Sequence, residues 1–93
     1  MRYELKVTGR FKKSYKRVKQ FPGFKQTRLD NVIDTLLSGE PLPEQYRDHA
    51  LTGSMTGQRE CHLAPDILLI YSLQNSILTL TLIDIGTHSQ LFR

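Results

Sequence analysis

The sequence holds a single cysteine, Cys61. One thiol excludes an intrachain disulfide framework and a cysteine-based zinc cage. Long hydrophobic runs are missing as well. No stretch approaches the ~20 apolar residues of a membrane-spanning helix, and the N-terminal MRYELKVTGRFKK carries no apolar run of signal-peptide length. The expectation is a cytoplasmic protein with no membrane partner. Repeats, low-complexity tracts and linkers are absent too, so residues 1–93 read as one domain. At 39% apolar and 24% charged residues the balance is globular rather than disordered.

Acid is scarce where base is abundant. The chain is +4 in total, yet residues 1–28 hold ten Lys and Arg against Glu4 alone, a balance of +9, while residues 29–93 sum to −5. A basic block on a small domain is the footprint of a polyanion binder or of a protein with an acidic partner. The plainer alternative is a solvated, lysine-rich helix.

Hydrophobic periodicity orders the elements. Tyr3, Leu5 and Val7 alternate with polar neighbours, predicting a strand over Arg2–Thr8. Phe11, Tyr15 and Val18 recur at helical spacing and predict a helix over Arg10–Gln20, with Lys12, Lys13, Lys16, Arg17 and Lys19 on its other faces. Leu29, Val32, Ile33, Leu36 and Leu37 mark a second helix, closed by Ser38-Gly39. Residues 39–57 read as a long Pro/Gly-punctuated loop. Three strands follow, Gln58–Ala64, Ile67–Leu73 and Ser76–Ile85, and then a polar tail. The middle strand is apolar on both faces and belongs at the centre of the sheet; the third puts Leu78, Leu80 and Leu82 on one face. The predicted class is α+β: a β-α-α-β-β-β chain in which two helices cover one face of a small sheet with an antiparallel meander.

His49, in the loop, His62, four residues before Asp66 at a hairpin, and His88, just past the last strand, all adjoin strand ends. Such side chains can meet at one sheet edge; the alternative is three separate surface histidines. If they meet, one neutral and one protonated imidazole can serve as general base and acid. Beside a basic surface, the reaction that fits is RNA cleavage by the 2′-hydroxyl, with Lys or Arg stabilising the phosphorane. Metal ligation by His62 and Asp66 is disfavoured, because Pro65 interrupts the stretch and i,i+4 ligation suits a helix. Neither a metal nor another cofactor is expected. Arg59, three residues before His62, shares a strand face with it only if a bulge intervenes. Phe92 can stack on a base or plug the core. Cys61 alternates out of phase with His62 and has no evident partner for thiol catalysis.

Three segments, Asp48-His49-Ala50-Leu51-x-Gly53, Arg59-x-x-His62-Leu63-x-Pro65-Asp66-x-Leu68-Leu69-Ile70-Tyr71 and Gly86-Thr87-His88-Ser89-x-Leu91-Phe92, occur in that order. Together with the basic first helix they resemble the YafQ branch of the RelE/ParE toxin superfamily, over nearly the whole chain. The resemblance implies a RelE-like fold and a type II toxin: a ribosome-dependent mRNA endoribonuclease, inhibited by a cognate RelB/DinJ-like antitoxin, reaching operator DNA only through that antitoxin. It assigns catalysis to His49, His62, Asp66 and His88; the roles of base and acid do not carry over with it, and the expectation here is that Asp66 or His49 helps to take the 2′ proton and His88 is the acid. The family's terminal aromatic carries over to Phe92; the basic charge adds the expectation that Arg59, Lys12, Lys13, Lys16 and Arg17 hold substrate and ribosome. Two positions depart from the pattern. Ile67 stands where some members carry an aromatic. Asp84 stands where members commonly carry an arginine, a loss of positive charge that Arg59 or Arg93 is expected to offset. The competing expectations are a non-enzymatic, gyrase-inhibiting ParE-like toxin and a basic RNA-binding module.

Overall fold

The structure is a computed structural model that describes residues 3–92. Arg2, at the start of the first expected strand, and Arg93, one of the two arginines expected to offset Asp84, lie outside the described residues.

Strand β1 (Glu4–Val7) leads into helix α1 (Gly9–Val18) through Thr8. The Thr8 oxygen accepts the Phe11 N–H at 2.9 Å, and its hydroxyl donates to the Ile83 carbonyl at 2.7 Å. One side chain thus satisfies an orphan helix donor and ties the helix start to the last strand. Helix α1 buries Phe11, Ser14 and Val18 and leaves Lys12, Lys13, Lys16 and Arg17 in solvent. Lys16 and Arg17 fall in its last turn, where cations complement the helix dipole. Helix α2 (Gln26–Leu37) buries Leu29, Val32 and Leu36. It ends in a Schellman motif. Gly39 is left-handed at φ 82°, its N–H reaches Leu36 O at 3.1 Å, and the Glu40 N–H reaches Thr35 O at 3.2 Å.

The expected long loop contains a short strand, β2 (His49–Ala50), between two 3-10 turns, Glu44–Tyr46 and Gly53–Met55. Three strands follow: β3 (Arg59–Ala64), β4 (Ile67–Gln74) and β5 (Thr79–Gly86). They build one five-stranded sheet in the order β1-β5-β4-β3-β2, with β1 parallel to β5 and every other pair antiparallel. Strand β4 sits at the centre, and Ile67 to Tyr71 are all buried, as its two-faced apolar run requires. The α+β meander with two preceding helices is therefore present; β2 adds an unexpected edge strand, and two further details differ. Strand β5 begins at Thr79, because Leu78 is left-handed (φ 46°) and Ile77 and Leu78 close a turn onto Gln74 and Asn75. Leu78 therefore leaves the face shared by Leu80 and Leu82. The polar tail contains a single helical turn, α3 (His88–Leu91).

Register defines two faces. Cys61, Leu69 and Ile85 align across β3, β4 and β5 and join Phe11, Val18, Leu29, Val32 and Leu36 in one core. At ~1.5–3 kcal/mol for each large apolar side chain taken from water, this contact holds both helices to that face. A bulge opposite Ile70 and Tyr71 leaves Ile83 unopposed, which keeps both Leu82 and Ile85 on the core side. The opposite face carries Glu60, Ile70 and Asp84 in one row and His62, Leu68 and Gly86 in the next.

Candidate active site

Strand alternation puts Glu60 and His62 on the same face of β3, and the β2–β3 register sets His49 directly across from Glu60. The His49 and His62 rings lie 6.4 Å apart, centroid to centroid. Between them stands the Glu60 carboxylate, 5% exposed, with Oε1 at 3.2 Å from His49 Nε2 and 3.7 Å from His62 Nε2. His49 Nδ1 lies 2.8 Å from the Arg47 carbonyl. A carbonyl only accepts, so Nδ1 carries a proton and Nε2 is the nitrogen turned toward Glu60. The backbone bends sharply to achieve this: Arg47 is left-handed at φ 52° and ψ 41°. For a residue other than glycine that conformation costs on the order of 1 kcal/mol, a strain that recurs at functional sites.

A second cluster adjoins the first. Thr87 caps α3 in a capping box with Gln90, which leaves His88 as the first helical residue. The Asp66 carboxylate, from the β3–β4 turn, accepts the His88 N–H at 3.3 Å. The His88 and Phe92 rings are 5.0 Å apart. A Cβ on Gly86 would come within 2.7 Å of Gln90 Oε1, so the glycine makes room for the cap that orients His88. His62 and Gly86 flank Leu68 on adjacent strands, and two strand spacings put their Cα atoms about 10 Å apart. The histidines thus gather on one side of the sheet in two groups: His49 with His62, and His88 with Asp66 and Phe92.

The basic residues distribute differently. No bulge intervenes between Arg59 and His62, so Arg59 faces away from the imidazoles. Its guanidinium is paired with Asp48 through Nη2 at 2.8 Å and Nε at 3.3 Å, and the Tyr71 hydroxyl donates to the same carboxylate. The Asp48 bond holds the Arg59 guanidinium even more firmly charged than usual. This set staples the two-residue strand β2 to β3 and β4 and so positions His49. Arg17 lines a cleft with Arg10, Ser14, Asp84, Gln90 and Leu91, between α1, β5 and α3. Asp84 Oδ1 accepts the Ile85 N–H at 2.8 Å. Cys61 is buried on the core side, and desolvation pushes its thiol up to about 12, which removes it from thiolate chemistry.

Three residues of this region escaped the sequence reading. Glu60 was detectable, since period two places it beside His62. Arg28 was counted only in the basic block and Arg47 carried no signal: they belong to different elements and reach the His62 surroundings only through folding. They line a cleft of about 290 Å³ with Gln45, His62, Ala64 and Pro65.

With this geometry in place, the comparisons with known proteins are specific. The family described as the bacterial toxin of type II toxin–antitoxin systems, YafQ, matches residues 3–93. The mRNA interferase toxin YafQ of Escherichia coli K12 is 33% identical over 90 residues, covering 96% of this chain and 95% of that one. The E. coli DinJ–YafQ toxin–antitoxin complex contains a chain 31% identical, with a TM-score of 0.87 and full coverage of both chains. A metal-bound toxin from Helicobacter pylori is 37% identical, with a TM-score of 0.87 over 99% of this chain and 100% of that one. The chain belongs to the YafQ family of toxins of bacterial type II toxin–antitoxin systems.

Proposed function

We propose that this chain is the toxin of a type II pair and acts in the cytoplasm as a ribosome-dependent mRNA endoribonuclease, restrained by a DinJ-like antitoxin. The observation that carries the reading is the buried Glu60 carboxylate set between His49 and His62, about two strands from His88. A protein that acts by binding alone has no use for a buried acid between two imidazoles. The mRNA interferase relative and the DinJ complex support the activity and the partner.

The reaction needs a base, an acid and positive charge. The His49–Glu60–His62 group takes the 2′-hydroxyl proton as that oxygen attacks the adjacent phosphorus. His88, protonated, returns a proton to the departing 5′-oxygen, leaving a 2′,3′-cyclic phosphate. Asp66 holds the His88 backbone, and Phe92, beside the His88 ring, stacks on a base of the strand. Lys12, Lys13, Lys16 and Arg17 lie exposed on α1 and face ribosomal RNA, or the antitoxin when it is bound. Among the described residues no three His, Cys, Asp or Glu side chains are arranged to hold a metal ion. Glu60 Oε1 stands between the two rings, 3.2 Å from His49 Nε2 and 3.7 Å from His62 Nε2.

The test is cleavage of mRNA on programmed ribosomes, mapped by primer extension, with His62→Ala and His88→Ala beside the wild type. Each variant should lose the cut while keeping its circular-dichroism spectrum. Variants that cut like the wild type would end the nuclease reading; DNA breaks with intact transcripts would move it to a gyrase inhibitor. Among the described residues no helix is long and apolar enough to cross a membrane.

A further inference from the structure

Taken as a nuclease, the site so far has a base and an acid but no cation for the phosphorane. Asp84 brings a negative charge to β5, and Arg59 is spent on Asp48 on the other face. We infer that Arg28 and Arg47, with the Gln45 amide, form the phosphate seat of the RNA strand, flanking His62 on the side away from His88. This rests on the nuclease reading and assigns it Arg28, the last cation of the basic block, and Arg47, to which neither the charge pattern nor the motifs point.

Three observations support the seat. First, two guanidiniums, one amide and one imidazole converge on a cleft of about 290 Å³, and an adjoining hollow of about 280 Å³ shares Arg28, Gln45 and His62. No carboxylate lines either hollow. The Arg10–Arg17 cleft, by contrast, contains Asp84, which offsets its charge. Second, both arginines are held in place. The register shift between His62 and Ala64 takes Leu63 out of the ladder, and Arg28 Nη1 donates to the Leu63 carbonyl at 3.0 Å. One N–H is used and four remain, with the fork fixed beside His62. Arg47 is fixed through its backbone: its N–H donates to Glu44 O at 3.0 Å and its carbonyl receives His49 Nδ1 at 2.8 Å. The residue that orients His49 therefore also sends a guanidinium into the His62 cleft. Third, the only Lys or Arg in an ion pair among the described residues is Arg59, so both guanidiniums are available to an external anion. Arginine in a planar fork matches a phosphodiester bidentately, which a lysine does not.

The strand then runs from the Arg28–Arg47 cleft across His62 to His88 and Phe92, with the scissile phosphate between the two imidazole groups. The cations that stabilise the phosphorane come from α2 and from the turn before β2, not from β5.

The experiment is single-turnover cleavage on programmed ribosomes at saturating toxin, with ribosome pelleting measured in parallel. Arg47→Gln leaves the Arg28–Leu63 bond intact and should slow cleavage about 100-fold, the scale of losing one oxyanion donor, while pelleting stays at the wild-type level. Arg47→Lys should restore only part of the rate. Arg10→Gln should cut at the wild-type rate. Wild-type rates for Arg47→Gln and for Arg28→Gln/Arg47→Gln would overturn the seat. So would a loss of pelleting that parallels the loss of rate, which would make these arginines ribosome anchors, or a 100-fold loss in Arg10→Gln. A wild-type chain that cuts nothing would remove the nuclease reading itself; cutting by wild type and double variant alike would remove the seat alone.

Discussion

The Asp66 carboxylate accepts the His88 backbone N–H at 3.3 Å, binding the β3–β4 turn to the first residue of α3. The two residues are 22 apart in sequence, and this bond helps set the height of the His88 imidazole above the sheet. An acid at a helix N-terminus also meets the positive end of the peptide dipoles.

Asp66 therefore has a positioning role separable from any proton transfer. Asp66→Asn keeps an oxygen acceptor for the His88 N–H, and Asp66→Ala does not. Cleavage should fall at least tenfold in the alanine variant, and the asparagine should recover a measurable share of it. Equal activity in the two variants would show that the oxygen acceptor is irrelevant. Amide exchange at His88 should quicken in the alanine variant only.

Glu60 should matter more than its absence from any motif suggests. Glu60→Gln is nearly isosteric, yet it removes the charge facing two imidazoles. We expect a 10²- to 10⁴-fold loss of single-turnover rate, the usual worth of a positioned acid–base group, with little change in thermal midpoint. The pH–rate profile should also change shape, because the carboxylate facing both imidazoles is gone. A variant within threefold of wild type, with an unchanged profile, would exclude Glu60 from the chemistry.

Asp48 and Arg59 should affect stability first and activity second. Asp48→Ala leaves the Arg59 guanidinium and the buried Tyr71 hydroxyl without their common acceptor. The expected cost is about 1–3 kcal/mol in urea unfolding, the penalty for stranded polar partners. Cleavage should fall in parallel, because β2 loosens and His49 with it. Full activity with wild-type stability would show that the staple does not position His49.

Alkaline pH should weaken the fold. Burial, followed by nearby acid charge, pushes the Cys61 thiol up from 9.0 to about 12, and burial raises the Tyr71 hydroxyl from its ordinary 10.0, helped by its bond to Asp48. Groups that keep their protons more tightly when folded contribute fully below the unfolded pKa and lose that contribution as pH climbs to the folded one. Stability should thus hold up to about pH 9 and decline between there and about pH 12. Urea midpoints across that range should fall less steeply in Cys61→Ala. A wild-type midpoint that is flat to about pH 11 would contradict the sign.

Several elements were legible because they depend on local periodicity. The Phe11–Val18 stripe, the Leu29–Leu36 stripe and the two-faced apolar run at the centre of β4 each carry their partner's geometry in their own spacing. Strand β2 was not legible. Two residues cannot establish a period, and His49–Ala50 becomes a strand only because β3 offers its edge and Arg59 holds Asp48. Leu78 read from its alternation as part of a strand running from Ser76, and turn closure onto Asn75 overrode it. Arg59 and His62 sit three residues apart, and strand alternation correctly warned that they part company.

The linear chain determined the α+β class, the basic first helix, the three histidines near strand ends and a set of motifs specific enough to mark a toxin family. These follow from side-chain period, from charge counted along the chain and from motif order, none of which needs a partner in space. Only the tertiary structure decided that Glu60 stands between His49 and His62, that Arg59 is neutralised by Asp48, and that Arg28 and Arg47 meet at His62. Those facts depend on strand register, on one bulge at Leu63 and on one left-handed residue, Arg47. A one-residue change in any of them turns a side chain to the opposite face, and no local pattern encodes that choice.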